Sequence, residues 1–216
     1  GMGEPLLNLD AVLASLAETF RQTLREVDIL ARMGGEEFAA CLPQSELQAA
    51  LQAGVRRLVH VSSIHAFKSM PQGTVINETT PLALDAPQDS YNRTKAEGTM
   101  RILSVVGQGL DAVIACPTGI IGPYDYLQSE MGTLIRNFAR RKLHMLIDGA
   151  YDFVDVRDVV EGLLQVAEHG ESGELYILSG FNIPLTHLRR IAQDVVGIHT
   201  PAIMVPFKLA HTVAKG

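Results

Sequence analysis

The chain has 216 residues, of which 47% are apolar and 19% are charged, and this balance is typical of a folded globular protein rather than a disordered one. Its formal net charge is −6, with the acidic residues spread along the chain, which argues against a nucleic-acid-binding protein. The sequence shows no apolar run long enough to span a bilayer and no signal peptide, so we expect a cytoplasmic protein without membrane attachment. The two cysteines, Cys41 and Cys116, stand far apart in apolar contexts, and we interpret both as buried small side chains.

The first part of the chain predicts a helix followed by a β-hairpin. Apolar residues recur at helical spacing over residues 9–31, which indicates an amphipathic helix. Residues 29–33 and 38–42 then predict two short strands joined by a glycine turn. A further helix is expected over residues 46–53, with Ser45 as its N-cap.

From there the pattern changes to alternating strands and helices. This alternation predicts an α/β fold, a mostly parallel sheet with helices on both faces. Asp155 and Thr186 are expected to cap the last two helices, and the apolar stripe of Met131, Leu134, Ile135 and Phe138 is expected to lie in the core. The predicted strands cover residues 57–62, 112–116 and 175–178, and the predicted helices cover residues 91–107, 131–141, 156–169 and 186–196.

The residues with the clearest catalytic chemistry are Tyr91 and Lys95, which are four apart and share a helical face. A free phenol has a pKa of about 10, and a nearby ammonium group favours the phenolate. Such a tyrosine can exchange a proton with a substrate hydroxyl while a hydride moves. The preceding strand ends in Ser62 and Ser63, and the carboxyl ends of parallel strands face the ligand crevice, so Ser63 is expected to donate a hydrogen bond to the substrate oxygen.

These segments resemble the extended short-chain dehydrogenases/reductases, the NAD-dependent epimerase/dehydratase family, and within it the dihydroflavonol-reductase-like members. The resemblance rests on residues 56–67, 77–82, 91–97, 116–123 and 151–159. It implies that Ser63 polarises the substrate oxygen, that Tyr91 is the acid/base, and that Lys95 lowers the tyrosine pKa and holds the nicotinamide ribose. By the same resemblance, Ser62, Tyr91, Lys95, Pro117, Thr118 and Gly119 contact NAD or NADP.

The family's Gly-x-x-Gly-x-x-Gly turn, which binds the pyrophosphate at a helix N-terminus, does not occur in this sequence. Its absence, together with that of the three strands expected around it, predicts an incomplete Rossmann-like sheet and weakened NAD(P) binding. The carbonyl/alcohol redox or nucleotide-sugar epimerase/dehydratase chemistry of the family is therefore an expectation from the resemblance. A small-molecule substrate and association into a homodimer through an exposed sheet edge are also expected.

Residues 3–46 resemble a fragment of GGDEF-type diguanylate cyclases. Glu36 and Glu37 match that family's acidic pair, and Arg25 and Asp28 match its inhibitory product-binding motif. The resemblance implies cyclic di-GMP binding at Arg25 and Asp28. Cyclase chemistry would need a metal-binding aspartate from a strand that the sequence lacks, so no metal site is expected, and a plain hairpin with an acidic tip is the alternative.

The sequence thus predicts two domains, residues 1–48 and 49–216. The histidines show no metal-ligand spacing, and His65 is either a residue of the substrate crevice or an ordinary loop histidine. A catalytically inactive fusion of two family fragments is the remaining alternative to an oxidoreductase.

Overall fold

The structure is a computed structural model, and it divides the chain into two compact units, Gly1–Ala53 and Gly54–Gly216. The predicted domain boundary between residues 48 and 49 stays a prediction. The predicted helix over residues 46–53, and all but the end of the one over residues 9–31, lie outside the described residues. The described residues are 29–34, 37–41, 56–71, 73–85, 90–123, 125–126, 128–140, 145–147, 149–201 and 203–205.

The described elements follow the predicted alternation of strands and helices. In chain order they are β1 (Ile29–Gly34), β2 (Glu37–Cys41), β3 (Leu58–Val61), a 3-10 helix (Ile64–Ala66), α1 (Ser90–Val106), β4 (Ala112–Pro117), β5 (Gly119–Ile121), α2 (Glu130–Ala139), β6 (Met145–Ile147), β7 (Ala150–Asp155), α3 (Val156–His169), β8 (Leu175–Leu178), β9 (Phe181–Pro184), α4 (Leu185–Val195) and β10 (Ile203–Val205).

In the first unit, β1 and β2 form the antiparallel hairpin that the sequence predicts, with Ile29 opposite Cys41. The helix predicted over residues 9–31 is wrong at its end, because residues 29–31 hydrogen-bond across the hairpin as part of β1. The register of the pairing shifts between Arg32 and Gly34.

In the second unit, a parallel sheet has the order β3-β4-β8. Every residue of its central strand β4 is buried, as expected for a strand covered on both faces. On one face, Val113 and Ala115 of β4 pack with Val166 of α3. Because side chains alternate along a strand, α1, which also contacts β4, covers the opposite face. The predicted mostly parallel sheet with helices on both faces is therefore confirmed.

A smaller sheet follows β4 and has the order β5-β7-β9, with β5 parallel and β9 antiparallel to β7. Helices α2 and α4 pack against each other, and strand β6 pairs with β10 in parallel. The core of this region confirms the predicted apolar stripe of α2, since Phe138 is fully buried and its three partners pack against the same cluster. The buried members are Phe138, Leu146, Phe153, Leu188 and Ala192.

The two predicted helix caps have different outcomes. Asp155 caps α3, with its carboxylate accepting the Arg157 N–H at 2.8 Å. Thr186 is not a cap, because α4 begins one residue earlier at Leu185 and directly follows Pro184, whose φ of −59° already suits a helix start. Within the described residues, no helix combines the length and apolar character needed to cross a membrane.

Candidate active site

The carboxyl end of β3 positions Ser62 and Ser63. The Ser62 N–H donates to the Ala115 carbonyl at 2.8 Å, which extends the pairing of β3 with β4 by one residue. Ser63 is the N-cap of the 3-10 helix, and its Oγ accepts the His65 N–H at 3.2 Å. Because Ser63 Oγ acts as an acceptor in that bond, its own hydrogen is left to donate to another oxygen.

The first turns of α1 position Tyr91 and Lys95 next to the carboxyl end of β3. The Lys95 Nζ lies 5.9 Å from the centre of the Tyr91 ring, and the Tyr91 side chain is half exposed. The His65 ring meets the Tyr91 ring edge-on, with 5.6 Å between the ring centres. Since His65 also binds Ser63 through its backbone, this contact brings the end of β3 and the start of α1 to one place.

A chain of buried hydroxyl groups fixes α1 to β3 at the level of Lys95. The Thr99 hydroxyl donates to the Lys95 carbonyl at 3.0 Å, and it lies 2.8 Å from Ser62 Oγ. Because the Thr99 hydrogen is used in the first bond, Ser62 is the donor in the second. Thr99 was not predicted as a site residue, although its position, four residues after Lys95 and on the same helical face, is a signal that could have found it.

Burial is the main cause of the protonation state of two groups near Lys95. Burial raises the pKa of the Cys116 thiol to about 11, against a smaller opposite effect of its hydrogen bond with Ser62. Burial also lowers the pKa of His60, and the positive charge of Lys95 acts in the same direction. Both groups are therefore uncharged at neutral pH, and Lys95 is the cation that faces them. The predicted burial of Cys116 is confirmed, whereas the Cys41 side chain lies outside the described part of the chain.

The predicted cofactor residues Pro117, Thr118 and Gly119 follow one another at the carboxyl end of β4. Because β3 and β4 are parallel neighbours, this end lies beside the carboxyl end of β3, where Ser62 and Ser63 are found. The Thr118 N–H donates to the Leu178 carbonyl at 3.0 Å, which holds the segment to β8. Gly119 packs closely against β7, where a Cβ atom would lie 3.0 Å from the Asp152 carbonyl oxygen.

The segment that connects the 3-10 helix to α1 is fastened to the sheet by Glu78. Its carboxylate accepts the N–H of Ile177 in β8 at 3.0 Å, across the outer edge of that strand. Near the start of the segment, the Lys68 N–H donates to the Pro81 carbonyl at 2.8 Å. These bonds fix two points in the described part of the segment, Glu78 at β8 and Pro81 next to Lys68.

The residues of the predicted cyclic di-GMP and acidic sites are not placed by the structure. Arg25, Asp28 and Glu36 lie outside the described residues, and Glu37 is described only as the first residue of β2. Binding of cyclic di-GMP at Arg25 and Asp28 therefore stays a prediction.

Residues 42–179 match the family model of the NAD-dependent epimerase/dehydratase family. The match spans β3, α1 and β4 together with the segments that carry Ser63, Tyr91 and Lys95. The chain belongs to this family. The family includes NAD-dependent epimerases, dehydratases and reductases, and its Rossmann-like fold agrees with the α/β architecture described above.

The chain spans about half the length of the curated relatives it matches. It is 34% identical to sterol demethylase protein B of Methylococcus capsulatus, over 78% of this chain and 51% of that protein. It is 30% identical to a putative dihydroflavonol 4-reductase of Synechocystis, over 78% of this chain and 50% of that protein. Among solved structures, it is similar to the dTDP-glucose 4,6-dehydratase of Streptomyces venezuelae with bound NAD, with a TM-score of 0.63 and 26% identity over 74% of this chain and 50% of that one.

A second similarity concerns the other resemblance seen in the sequence. The chain is 31% identical to the diguanylate cyclase DgcM of Escherichia coli K12, over 44% of this chain and 25% of that protein. This partial match is in line with a GGDEF-like fragment but does not show that family.

Proposed function

We propose that this chain carries the catalytic residues of an NAD(P)-dependent oxidoreductase that interconverts a carbonyl compound and an alcohol. The observation that carries the proposal is that Ser63, Tyr91 and Lys95 lie close together at the carboxyl end of β3. Lys95 Nζ lies 5.9 Å from the Tyr91 ring centre, and His65 contacts both the Tyr91 ring and the Ser63 hydroxyl.

The donor groups at this edge fit the nicotinamide end of the cofactor. The half-buried ammonium group of Lys95 and the half-exposed phenol of Tyr91 can hold ribose hydroxyls. The segment from Pro117 to Gly119 lies at the carboxyl end of the neighbouring strand β4. The pyrophosphate end has no comparable fit, because the chain contains no Gly-x-x-Gly-x-x-Gly turn. When bound, the nicotinamide would accept or supply a hydride at the substrate carbon.

Each of the three side chains has a separate task in the proposed reaction. The unused hydrogen of the Ser63 hydroxyl donates to the substrate oxygen and orients it. In carbonyl reduction, Tyr91 gives its phenolic proton to that oxygen, and in alcohol oxidation it takes the proton back. The positive charge of Lys95 stabilises the negative charge that develops on the phenol oxygen during proton transfer.

The proposal is tested by calorimetric titration of the purified chain with NADH and NADPH, followed by turnover assays with carbonyl substrates. Saturable binding that is weakened by Lys95→Ala is expected, with Lys68→Ala as the control because Lys68 pairs with Asp85 at the surface. Tyr91→Phe is expected to abolish turnover, with Tyr151→Phe as a matched control of similar exposure (53% and 52%). Absence of binding at millimolar cofactor, or full turnover by Tyr91→Phe, contradicts the proposal.

Nucleotide-sugar epimerase or dehydratase chemistry by the same residues is the alternative within the family, and the similarity to dTDP-glucose 4,6-dehydratase supports it. The two are separated by following the nicotinamide absorbance, since epimerisation and dehydration leave no net change in the cofactor, whereas carbonyl reduction consumes the reduced form.

A different function, cyclic di-GMP binding by Arg25 and Asp28, is supported by the partial similarity to diguanylate cyclase DgcM. Saturable binding of cyclic di-GMP that is lost in Arg25→Ala would support it. If the unaltered chain does not bind cyclic di-GMP, this function is refuted.

A further inference from the structure

Tyr91 is the second residue of α1, and its side chain is half exposed. Aromatic side chains in a helix lean towards the N-terminus and rest on the preceding turn. Among the described residues, α1 has no turn before Ser90 that could support the Tyr91 ring in this way. A ring with so little burial and no helical support beneath it needs another element to fix its orientation.

His65 approaches this ring from the 3-10 helix. The two ring centres are 5.6 Å apart and the ring planes meet at 74°, which is an edge-on arrangement that aromatic pairs prefer. Lys95 Nζ lies 5.9 Å from the centre of the same tyrosine ring. The His65 side chain is itself exposed, so its contact with Tyr91 is not a consequence of packing in the core.

The backbone that carries His65 is fixed on both sides. The next two residues, Ala66 and Phe67, are buried. The Ala66 carbonyl also accepts the Ala83 N–H at 2.8 Å. On the other side, the His65 N–H donates to Ser63 Oγ at 3.2 Å. One residue on a fixed backbone therefore contacts both the serine and the tyrosine of the proposed reaction.

We propose that His65 is a positioning residue that holds the Tyr91 ring in the orientation needed for proton transfer. This inference rests on the proposed function and deepens it, because it adds a residue to the same site. A phenol transfers its proton only within hydrogen-bond reach of the substrate oxygen, so a ring that has turned away is inactive. An edge-on aromatic pair changes the population of the supported orientation by about twofold to tenfold.

The contact between His65 and Tyr91 is a contact between rings, and a phenyl ring can make it as well as an imidazole. Phenylalanine at position 65 keeps both this contact and the backbone N–H that donates to Ser63, whereas alanine keeps only the N–H. His65→Phe and His65→Ala therefore form the decisive pair of variants. A role of the imidazole nitrogens in carrying protons or binding substrate would be lost in both.

The first test observes the Tyr91 ring by nuclear magnetic resonance, with isotope-labelled tyrosine and without cofactor or substrate. The signals that disappear in Tyr91→Phe are those of Tyr91. We expect His65→Ala to shift them and to bring the Hα–Hβ couplings towards the average of a freely rotating side chain, whereas His65→Phe should keep the couplings of the unaltered chain. The signals of Tyr151, which is equally exposed and lies beside Phe153, should stay unchanged in both His65 variants.

The second test measures rates with the carbonyl substrates of the turnover assay. His65→Ala should lower kcat by about twofold to tenfold and leave KM unchanged, because the ring orientation matters for proton transfer and not for substrate binding. His65→Phe should keep most of kcat. His187→Ala is the matched control and should keep the full kcat, since His187 is also exposed but lies in α4. The midpoint of urea unfolding should be the same for all these variants, because the replaced side chains are exposed.

Unchanged Tyr91 couplings in His65→Ala would overturn the proposal. So would a loss of kcat in His65→Phe as large as in His65→Ala, or a rise in KM without a loss of kcat. Failure of the proposed function gives a different result, because the unaltered chain would then show no turnover although the Tyr91 signals still respond to His65→Ala.

Discussion

Replacement of Thr99 by valine tests whether the hydroxyl chain between β3 and α1 stabilises the site. Thr99 is fully buried, and the Ser62 hydroxyl that donates to it is also buried. Valine has nearly the same shape, so Thr99→Val leaves little empty space but removes the oxygen acceptor for Ser62, which keeps only the weak sulfur acceptor of Cys116. A buried hydroxyl without a good acceptor costs up to about 3 kcal/mol, and we expect the free energy of unfolding to fall by about 1 to 3 kcal/mol.

The double variant separates this hydrogen-bond effect from a packing effect. Ser62→Ala alone should cost less than Thr99→Val, because Thr99 keeps its bond to the Lys95 carbonyl. When both hydroxyls are removed, no donor is left unsatisfied, so the double variant should be more stable than the sum of the two single losses by about 1 kcal/mol. Urea unfolding followed by circular dichroism measures all three changes.

The exposed helical threonine Thr186 provides the control, since Thr186→Val removes a hydroxyl without burying one and should change stability by less than about 0.5 kcal/mol. Additive losses in the Ser62→Ala/Thr99→Val double variant would refute the reasoning, because they would show that the two hydroxyl groups do not depend on each other.

Three further predictions concern the scaffold. Arg57→Gln should lower the free energy of unfolding by about 1 to 3 kcal/mol, because it removes hydrogen bonds to Asp111 and to two carbonyl groups at the end of α3. Urea unfolding measures this change, and unchanged stability would contradict the prediction. Asp155→Asn should lower the melting temperature at pH 7, since hydrogen bonds from the arginine two residues later hold the pKa of that carboxyl at about 2. A carboxyl group with a lowered pKa stabilises the fold at pH values above its ordinary pKa of 3.8, and this contribution is lost as the pH falls through about 2. The difference in melting temperature between the unaltered chain and Asp155→Asn should therefore disappear over that range. A difference that does not depend on pH would argue against the prediction. Cys116 can be followed alone in a Cys41→Ser chain. Its reaction with a thiol reagent at pH 8 should be at least about a hundredfold slower in the folded chain than in urea, because burial raises its pKa to about 11. Fast labelling of the folded chain would disprove the burial of Cys116.

Much of the fold could be predicted because it follows from local patterns. The bounds of α3 and β8 are those that periodicity and flanking residues indicate, and Asp155 caps α3 as its position before the apolar stripe suggests. The short strands β5, β6, β9 and β10 were not predicted. Strands of three or four residues show too little alternation to be recognised, and they form because a neighbouring strand satisfies their backbone hydrogen bonds.

The candidate site shows the same division. The sequence by itself determined the family and the chemistry of Ser63, Tyr91 and Lys95 as candidates, because residue type and spacing along one helix or at one strand end are local properties. Only the tertiary structure decided that His65 lies against Tyr91 and that Thr99 binds the hydroxyl of Ser62. Those relations depend on the parallel sheet, which brings residues from distant parts of the chain together at the carboxyl ends of its strands. No spacing along the sequence encodes this.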